Sequence, residues 1–250
     1  MIAVTPETAL VIGLTFFAAG LVKGVIGLGL PTVSLALLTA TLGLKDAVAL
    51  LLAPSFATNL WQGVVGGHLT ALLRRLWTLL AAVCIGTWFG AGILARGDVA
   101  LLSGLLGLLL CAYAMLSLTR VQLPAPGAAE WIWSPVVGAV NGFLTGMTGS
   151  FVVPGVMYLQ ALGLGREAMI QAMGVLFTVS TLALAVSLND QRLLSANLAA
   201  LSLAAVVPAF AGMALGQLVR KRLSEAAFRM VFFASIAALG AWIAVQAAFR

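Results

Sequence analysis

Long apolar runs separated by short polar stretches set the plan of this 250-residue chain. A helix needs roughly 20 apolar residues to cross a bilayer. Six runs reach that length: 47–67, 76–95, 99–118, 168–188, 194–219 and 226–249. The connections are short and polar, among them Arg74-Arg75, Arg96-Gly97-Asp98, 189–192 and Arg220-Lys221-Arg222. Pro208 predicts a kink in the fifth run. The longest polar connection, 120–133, holds Pro124, Pro126 and Gly127 and reads as a linker between two halves.

Two further apolar regions, 8–44 and 136–164, have a different texture. The first is interrupted by Gly20-Leu21-Val22-Lys23-Gly24-Val25-Ile26-Gly27-Leu28-Gly29-Leu30-Pro31. The second carries Gly142, Gly146, Gly149 and Pro154 in a similar order. Glycine and proline weaken or break helices. The first region is therefore expected to split into 8–22 and 31–42, each too short to span alone. Broken backbone at membrane depth persists only where protein buries it or where it lines a cavity.

The two halves repeat one plan. Gly20, Gly24 and Gly27 align with Gly142, Gly146 and Gly149 at one offset, and Gly86 and Gly90 with Gly212 and Gly216 at another. Arg96 then falls on Arg222, Phe56 on Phe177, and Lys45-Asp46 matches Arg166-Glu167. The order is break, charged pair, span, span, turn, span. The expected organisation is a first repeat over 1–120, a linker over 121–134 and a second repeat over 135–250. If each broken region enters and leaves on one face, the repeats are inverted. Arg74, Arg75, Arg120, Arg166, Arg220, Lys221, Arg222 and Arg229 then share one side, and Lys45, Arg96, Arg192 and Arg250 the other. The richer side is expected to be cytoplasmic.

Composition agrees with this membrane pattern. The chain is 62% hydrophobic and 8% charged, far below the roughly 25% charge of soluble domains. Its net charge of +6 is better explained by basic loops than by nucleic-acid binding. Residues 1–7 contain no basic residue, so no cleavable signal peptide is expected. Cys84 and Cys111 read as small apolar core residues, not a disulfide or metal pair. No metal site and no cofactor are expected.

The candidate chemistry is that of a small anion. All seven acidic residues fall at ends or turns, which argues against a carboxylate relay in the core. The polar groups inside the apolar regions are mostly neutral donors, including Asn59, Gln62, Asn141, Thr145, Thr148, Ser150, Gln160, Gln171, Thr178 and Ser180, with Lys23 adding a positive charge. Broken helices expose N–H groups at a positive dipole end, which favours anions. Half-helices starting near Pro31 and Pro154 could present such ends to a midplane cavity. The candidate binding residues are Lys23, Gly24, Gly27, Gly29, Asn59, Asn141, Gly146, Thr148, Gly149, Ser150, Gln160 and Gln171.

Plainer roles compete for these residues. Glycines three and four apart also let membrane helices pack closely. Lys23 could snorkel to an interface. Asn59 and Asn141 could be interhelical hydrogen-bond partners. The arginine clusters read as topology determinants, and His68 as a loop residue. The glycine spacing resembles fragments of a nucleotide fingerprint, but no strand pattern surrounds it.

At Gly20-x3-Gly24-x2-Gly27-x-Gly29-x-Pro31, Gly142-x3-Gly146-x2-Gly149-x4-Pro154 and 158–164, the sequence resembles the TauE/SafE family of membrane permeases. The resemblance covers essentially the whole chain. It implies transport of small sulfur-containing anions such as sulfite, thiosulfate or organosulfonates. Leu28 and Leu30 interrupt the denser glycine run usual before the first proline of that family.

The reading as a whole is an all-helical transporter of a bacterial inner membrane, working by alternating access, without enzymatic activity. Its partners are a small anion and the bilayer, with a homo-oligomer left open. The alternatives are a membrane subunit that anchors a partner enzyme, which a longest loop of about 14 residues disfavours, and an intramembrane enzyme, which lacks a core catalytic acid, His pair or reactive Cys.

Overall fold

A computed structural model describes residues 5–119, 123–220 and 224–249. Among these residues there are helices and no strands. In chain order they are α1 (Pro6–Ile26), α2 (Leu30–Leu42), α3 (Leu44–Leu50), α4 (Leu52–Val64), α5 (Leu69–Arg96), α6 (Val99–Thr119), α7 (Glu130–Thr148), α8 (Gly155–Ala161), α9 (Arg166–Asp190), α10 (Ala196–Ala204), α11 (Val206–Arg220) and α12 (Glu225–Ala248), with one 3₁₀ turn at Gly127–Ala129. Six stretches are long and apolar enough to cross a membrane: α1, α5, α6, α9, α10 with α11, and Ala227–Ala248 of α12. The bent pair α3 and α4 makes a seventh if counted as one span. This is a multi-pass membrane protein. Of the basic residues used above to orient the chain, Arg120, Lys221, Arg222 and Arg250 lie outside the described residues.

Two compact units result, each drawing on both halves of the sequence. The first comprises Met1–Pro54, Asp98–Arg120 and Leu194–Arg250. Within it α1 packs along α11 and α6 along α12, while α2 lies against α1, α3 and α12. Phe16, Leu30, Leu35, Leu38, Leu44, Leu50, Leu51 and Leu106 form its core. Tyr113 of α6 meets Phe233 of α12 edge to face at 5.4 Å, and Arg229 sits over the same ring. The second unit comprises Ser55–Gly97 and Val121–Leu193. There α5 packs against α7 and α9, and α8 touches α7 and α9. Leu76, Leu79, Leu94 and Phe151 are buried in it, and Phe151 stacks at a tilt on Phe177.

Three sequence expectations need correction. The first broken region does not split after Val22. Helix α1 runs unbroken through Gly20, Lys23 and Gly24 and is, at 21 residues, long enough to span by itself. Close packing is the reason. A Cβ at Gly20 would strike the Ala209 backbone of α11, and one at Gly24 would strike Met213 and Gly216. Gly212 and Gly216 face back onto Phe17 and Leu21 in the same way. The second unit holds an equivalent crossing. Gly86 and Gly90 of α5 meet the backbone of α7, and Gly138, Gly142 and Gly146 of α7 meet that of α5. The matched glycines are mostly places where two backbones touch.

Second, the run 47–67 is not straight. Helices α3 and α4 meet at 43° around Leu51, three residues before Pro54. Proline lacks the N–H that would complete the turn. Ser202 of α10 repairs the gap: its hydroxyl donates to Leu50 O at 2.8 Å and accepts from Ala53 N at 3.0 Å. Buried backbone needs such partners inside a membrane. Pro208 acts similarly. The helix is interrupted at Ala205, again three residues upstream, although α10 and α11 still form one 25-residue stretch. Third, Cys84 is exposed and only Cys111 is partly covered, its thiol 3.4 Å from Ala237 O. Both thiols are free. A membrane protein faces lipid with apolar side chains, so an apolar run does not mark a core.

Candidate functional site

The helix breaks fall at fewer residues than the glycine pattern suggests. In the first unit α1 ends at Ile26, and Gly27 closes it with φ +87°, its N–H bonded to Lys23 O at 2.7 Å. Left-handed backbone of this kind favours glycine at a helix C-terminus. Gly29 follows at φ +108° and starts α2. No side chain caps that start, and Leu30, Pro31 and Thr32 are all buried there. The first-turn N–H groups of α2 are thus turned into protein interior. Lys23 stands in the last turn of α1, four residues before the break, and is 4% exposed. It is the one charged side chain among the buried described residues. A cation there is favoured by the negative end of the α1 dipole. Gly24 is spent on the α11 crossing.

The second break is longer. Helix α7 ends at Thr148, Gly149 takes φ +76°, and the chain runs non-helically to Pro154, joined through a cis peptide to Val153, before α8 begins at Gly155. Side chains of α7 hold this segment. Thr145 Oγ1 donates to Ser150 O at 2.9 Å. Thr148 Oγ1 donates to Leu144 O and accepts from Ser150 N at 3.2 Å. Asn141 Oδ1 accepts from Gly155 N at 2.9 Å. Asn141 is fully buried, and its Nδ2 has no partner. An orphaned donor of this kind costs about 1–3 kcal/mol. That asymmetry marks Asn141: one end of the amide fixes the break, and the other is unfilled.

The remaining sequence candidates divide by place. Asn59, Asn141, Gly146, Thr148, Gly149, Ser150, Gln160 and Gln171 belong to the second unit, and Lys23, Gly24, Gly27 and Gly29 to the first. Asn59 is fully buried in α4. Gly146 lines the α5 crossing. Gln171 Nε2 donates to Gly63 O and its Oε1 accepts from His68 N, both at 2.9 Å, so it ties the α4–α5 turn to α9. Gln62 Nε2 makes a parallel tie to Ile170 O. Gln160 is exposed on α8.

A polar cluster that sequence reading missed lies in the same unit. Arg75 binds Glu130 through two hydrogen bonds of 2.8 Å, and reaches Leu162 O at 3.4 Å. Tyr158 Oη lies 2.7 Å from Ser134 Oγ and donates weakly to Glu130 O. These contacts join the starts of α5 and α7 to the end of α8. The Arg75 guanidinium holds the Glu130 carboxyl below its ordinary range, chiefly through the hydrogen bond. Arg75 had read only as a topology charge. Nothing in the local sequence pairs it with an acid 55 positions away. Among the described residues, no group of three His, Cys, Asp or Glu side chains is placed to hold a metal ion.

The family model for the sulfite exporter TauE/SafE matches residues 12–243. Searches of curated proteins and of solved structures returned no match. The matched region takes in both helix breaks and reaches into every helix of both units, and the chain accordingly belongs to the sulfite exporter TauE/SafE family, a family of membrane transporters.

Proposed function

We propose that the protein moves a small sulfur-containing anion, such as sulfite, thiosulfate or an organosulfonate, across the membrane by alternating access. One observation carries this reading: the single buried charge among the described residues is a lysine, and it stands beside a helix break whose following N-terminus is buried and has no side-chain cap. A buried cation next to a helix start without a side-chain cap favours an anionic ligand. Family membership supports the sulfur-oxyanion class.

Each break is assigned its own anion-contacting groups. In the first they are Lys23, the backbone of Gly29 and the first turn of α2, since the Gly27 N–H is spent on Lys23 O. In the second they are Asn141 Nδ2 and the Ser150 hydroxyl, with Asn59 as a further buried donor; the Thr148 hydroxyl and the Gly149 and Ser150 N–H groups are spent on holding the break. Gln160 is exposed and Gln171 is engaged with backbone, so neither carries weight here. The sequence match between the halves supports a repeat, and the bias of basic residues supports its inversion, with Arg74 and Arg75 cytoplasmic; a bacterial inner membrane is the proposed location. No catalytic step is assigned.

Thermal unfolding of the detergent-purified protein tests the proposal. The panel is sulfite, thiosulfate, a short sulfonate, acetate and chloride. A ligand that binds only the folded state raises stability by RT ln(1 + [L]/Kd), about 2.7 kcal/mol at a hundredfold excess over Kd. The expected result is a selective rise with one sulfur anion, lost in Lys23→Gln and in Asn141→Leu while both variants still unfold cooperatively. A rise that survives both substitutions contradicts the assignment.

A further inference from the structure

A groove of about 550 Å³ opens at one end of the second unit, lined by Trp88, Phe89, Gly92, Ile93 and Arg96 of α5 and by Gln191 just after α9. None of its lining residues belongs to either helix break, and neither anion contact nor transport chemistry is assigned to it. We propose that it binds a single aminophospholipid, with the acyl chain in the groove and the headgroup at its rim.

Depth along α5 gives the first reason. This helix has 28 residues, about 42 Å at 1.5 Å per residue, against a hydrocarbon core of about 30 Å. Arg96 is its last residue, so its guanidinium stands at headgroup level. Trp88 lies eight residues, about 12 Å, deeper. Trp88, Phe89 and Ile93 are 45%, 65% and 38% exposed, an apolar wall open to the acyl region. Gly92 has no side chain, and a Cβ built there meets nothing within 4 Å, so the groove passes directly over it.

Charge at the rim gives the second reason and selects the headgroup. Arg96 offers a fork of donors suited to a phosphodiester. Gln191 Nε2 donates to Asp190 Oδ2 at 3.3 Å, so a carboxylate stands beside the lining. A guanidinium and a carboxylate at one rim complement a phosphate and a primary ammonium. A quaternary ammonium cannot donate to Asp190, and a glycerol headgroup brings no positive charge. Phosphatidylethanolamine meets both requirements.

Native mass spectrometry of the full chain, released from detergent after exposure to phosphatidylethanolamine, phosphatidylcholine or phosphatidylglycerol, tests this. Retention of one phosphatidylethanolamine, about tenfold above the other two, is expected for hydrogen bonds to charged groups. Gly92→Leu should abolish retention by filling the groove without touching the rim. Arg96→Gln should lower it about tenfold, and Asp190→Asn should remove the preference over phosphatidylglycerol. Equal retention of the three lipids, or retention unchanged by Gly92→Leu, overturns the proposal. So does a dimer that Gly92→Leu splits with no lipid retained, since the groove would then seat a second copy. The two α5 variants differ in kind, so misfolding of one leaves the other decisive.

Discussion

Two alanine substitutions, two residues apart on one helix, test whether the glycine-lined crossings hold each unit together. Gly90 and Gly92 both lie in α5. A Cβ at Gly90 would run into Phe143 O and sit 3.0 Å from Gly146 Cα and from Met147 N, all backbone atoms of α7. Carbon atoms prefer about 3.5–4.0 Å. The shortfall is therefore about 0.5–1 Å against carbon and larger against the carbonyl oxygen. No side chain can rotate away, so α5 and α7 must separate along the crossing. Overpacking of this kind costs about 1–3 kcal/mol. A Cβ at Gly92 meets nothing within 4 Å. Both substitutions gain the same helix propensity, about 0.5–1 kcal/mol. That gain cancels in the comparison, leaving Gly90→Ala less stable than Gly92→Ala by about 1–3 kcal/mol. For a chain of this size that is about 2–12 °C in the unfolding midpoint. Thermal unfolding of both variants in one detergent, with no anion present, measures it. Equal midpoints, or a lower one for Gly92→Ala, would refute the packing role of these glycines.

Other outcomes follow from the same geometry. Ser202→Ala removes both hydrogen bonds that repair the α3–α4 bend and strands Leu50 O and Ala53 N; a loss of about 1–3 kcal/mol in chaotrope unfolding is expected, and no loss would mean the bend needs no repair. The Arg75–Glu130 pair should matter only above acid pH. Because the Glu130 carboxyl is held below its ordinary value of 4.5, its contribution is present above that pH and is lost as pH falls further. With the partners 42% and 24% exposed, the effect is under about 1 kcal/mol. Glu130→Gln should therefore lower stability slightly at pH 7 and flatten the acid limb; an unchanged acid limb would argue against the pair. Gln171→Leu should loosen the α4–α5 turn without changing the anion-induced thermal shift, and loss of that shift would place Gln171 in the binding site.

Much of the fold is legible in the sequence because membrane spans are set by length and apolarity, which are local properties. Five of the six expected spans stand as apolar helices, four of them close to their expected bounds; α5 starts at Leu69, seven residues before the expected 76, so the Arg74-Arg75 connection is helical and not a loop. What depends on distant partners is not legible. A glycine at Gly24 reads the same whether it ends a helix or admits another, and only the presence of Gly216 beside it decides. Gly27 and Gly149 do break their helices, since each takes left-handed backbone. The bend near Pro54 is a different case. Pro54 stands eight residues into its run, so the rule applied to Pro208 also covers it; what has no local signature is the stabilisation of the bend by Ser202, far along the chain. At the candidate site, Lys23 and Asn141 are legible as polar residues in apolar sequence. The role of Asn141 in fixing Gly155, and the clasp of Arg75 on Glu130, are tertiary facts without a local signature.

Flux of radiolabelled sulfite, thiosulfate and a short sulfonate into proteoliposomes tests the central claim most directly, with the native chain and Lys23→Gln compared at equal reconstituted amounts. The account predicts saturable flux of at least one sulfur anion by the native chain, competed by the unlabelled anion but not by chloride, and a loss of at least tenfold in Lys23→Gln. Native flux that Lys23→Gln leaves unchanged, or flux of acetate and chloride as fast as that of any sulfur anion, would contradict it.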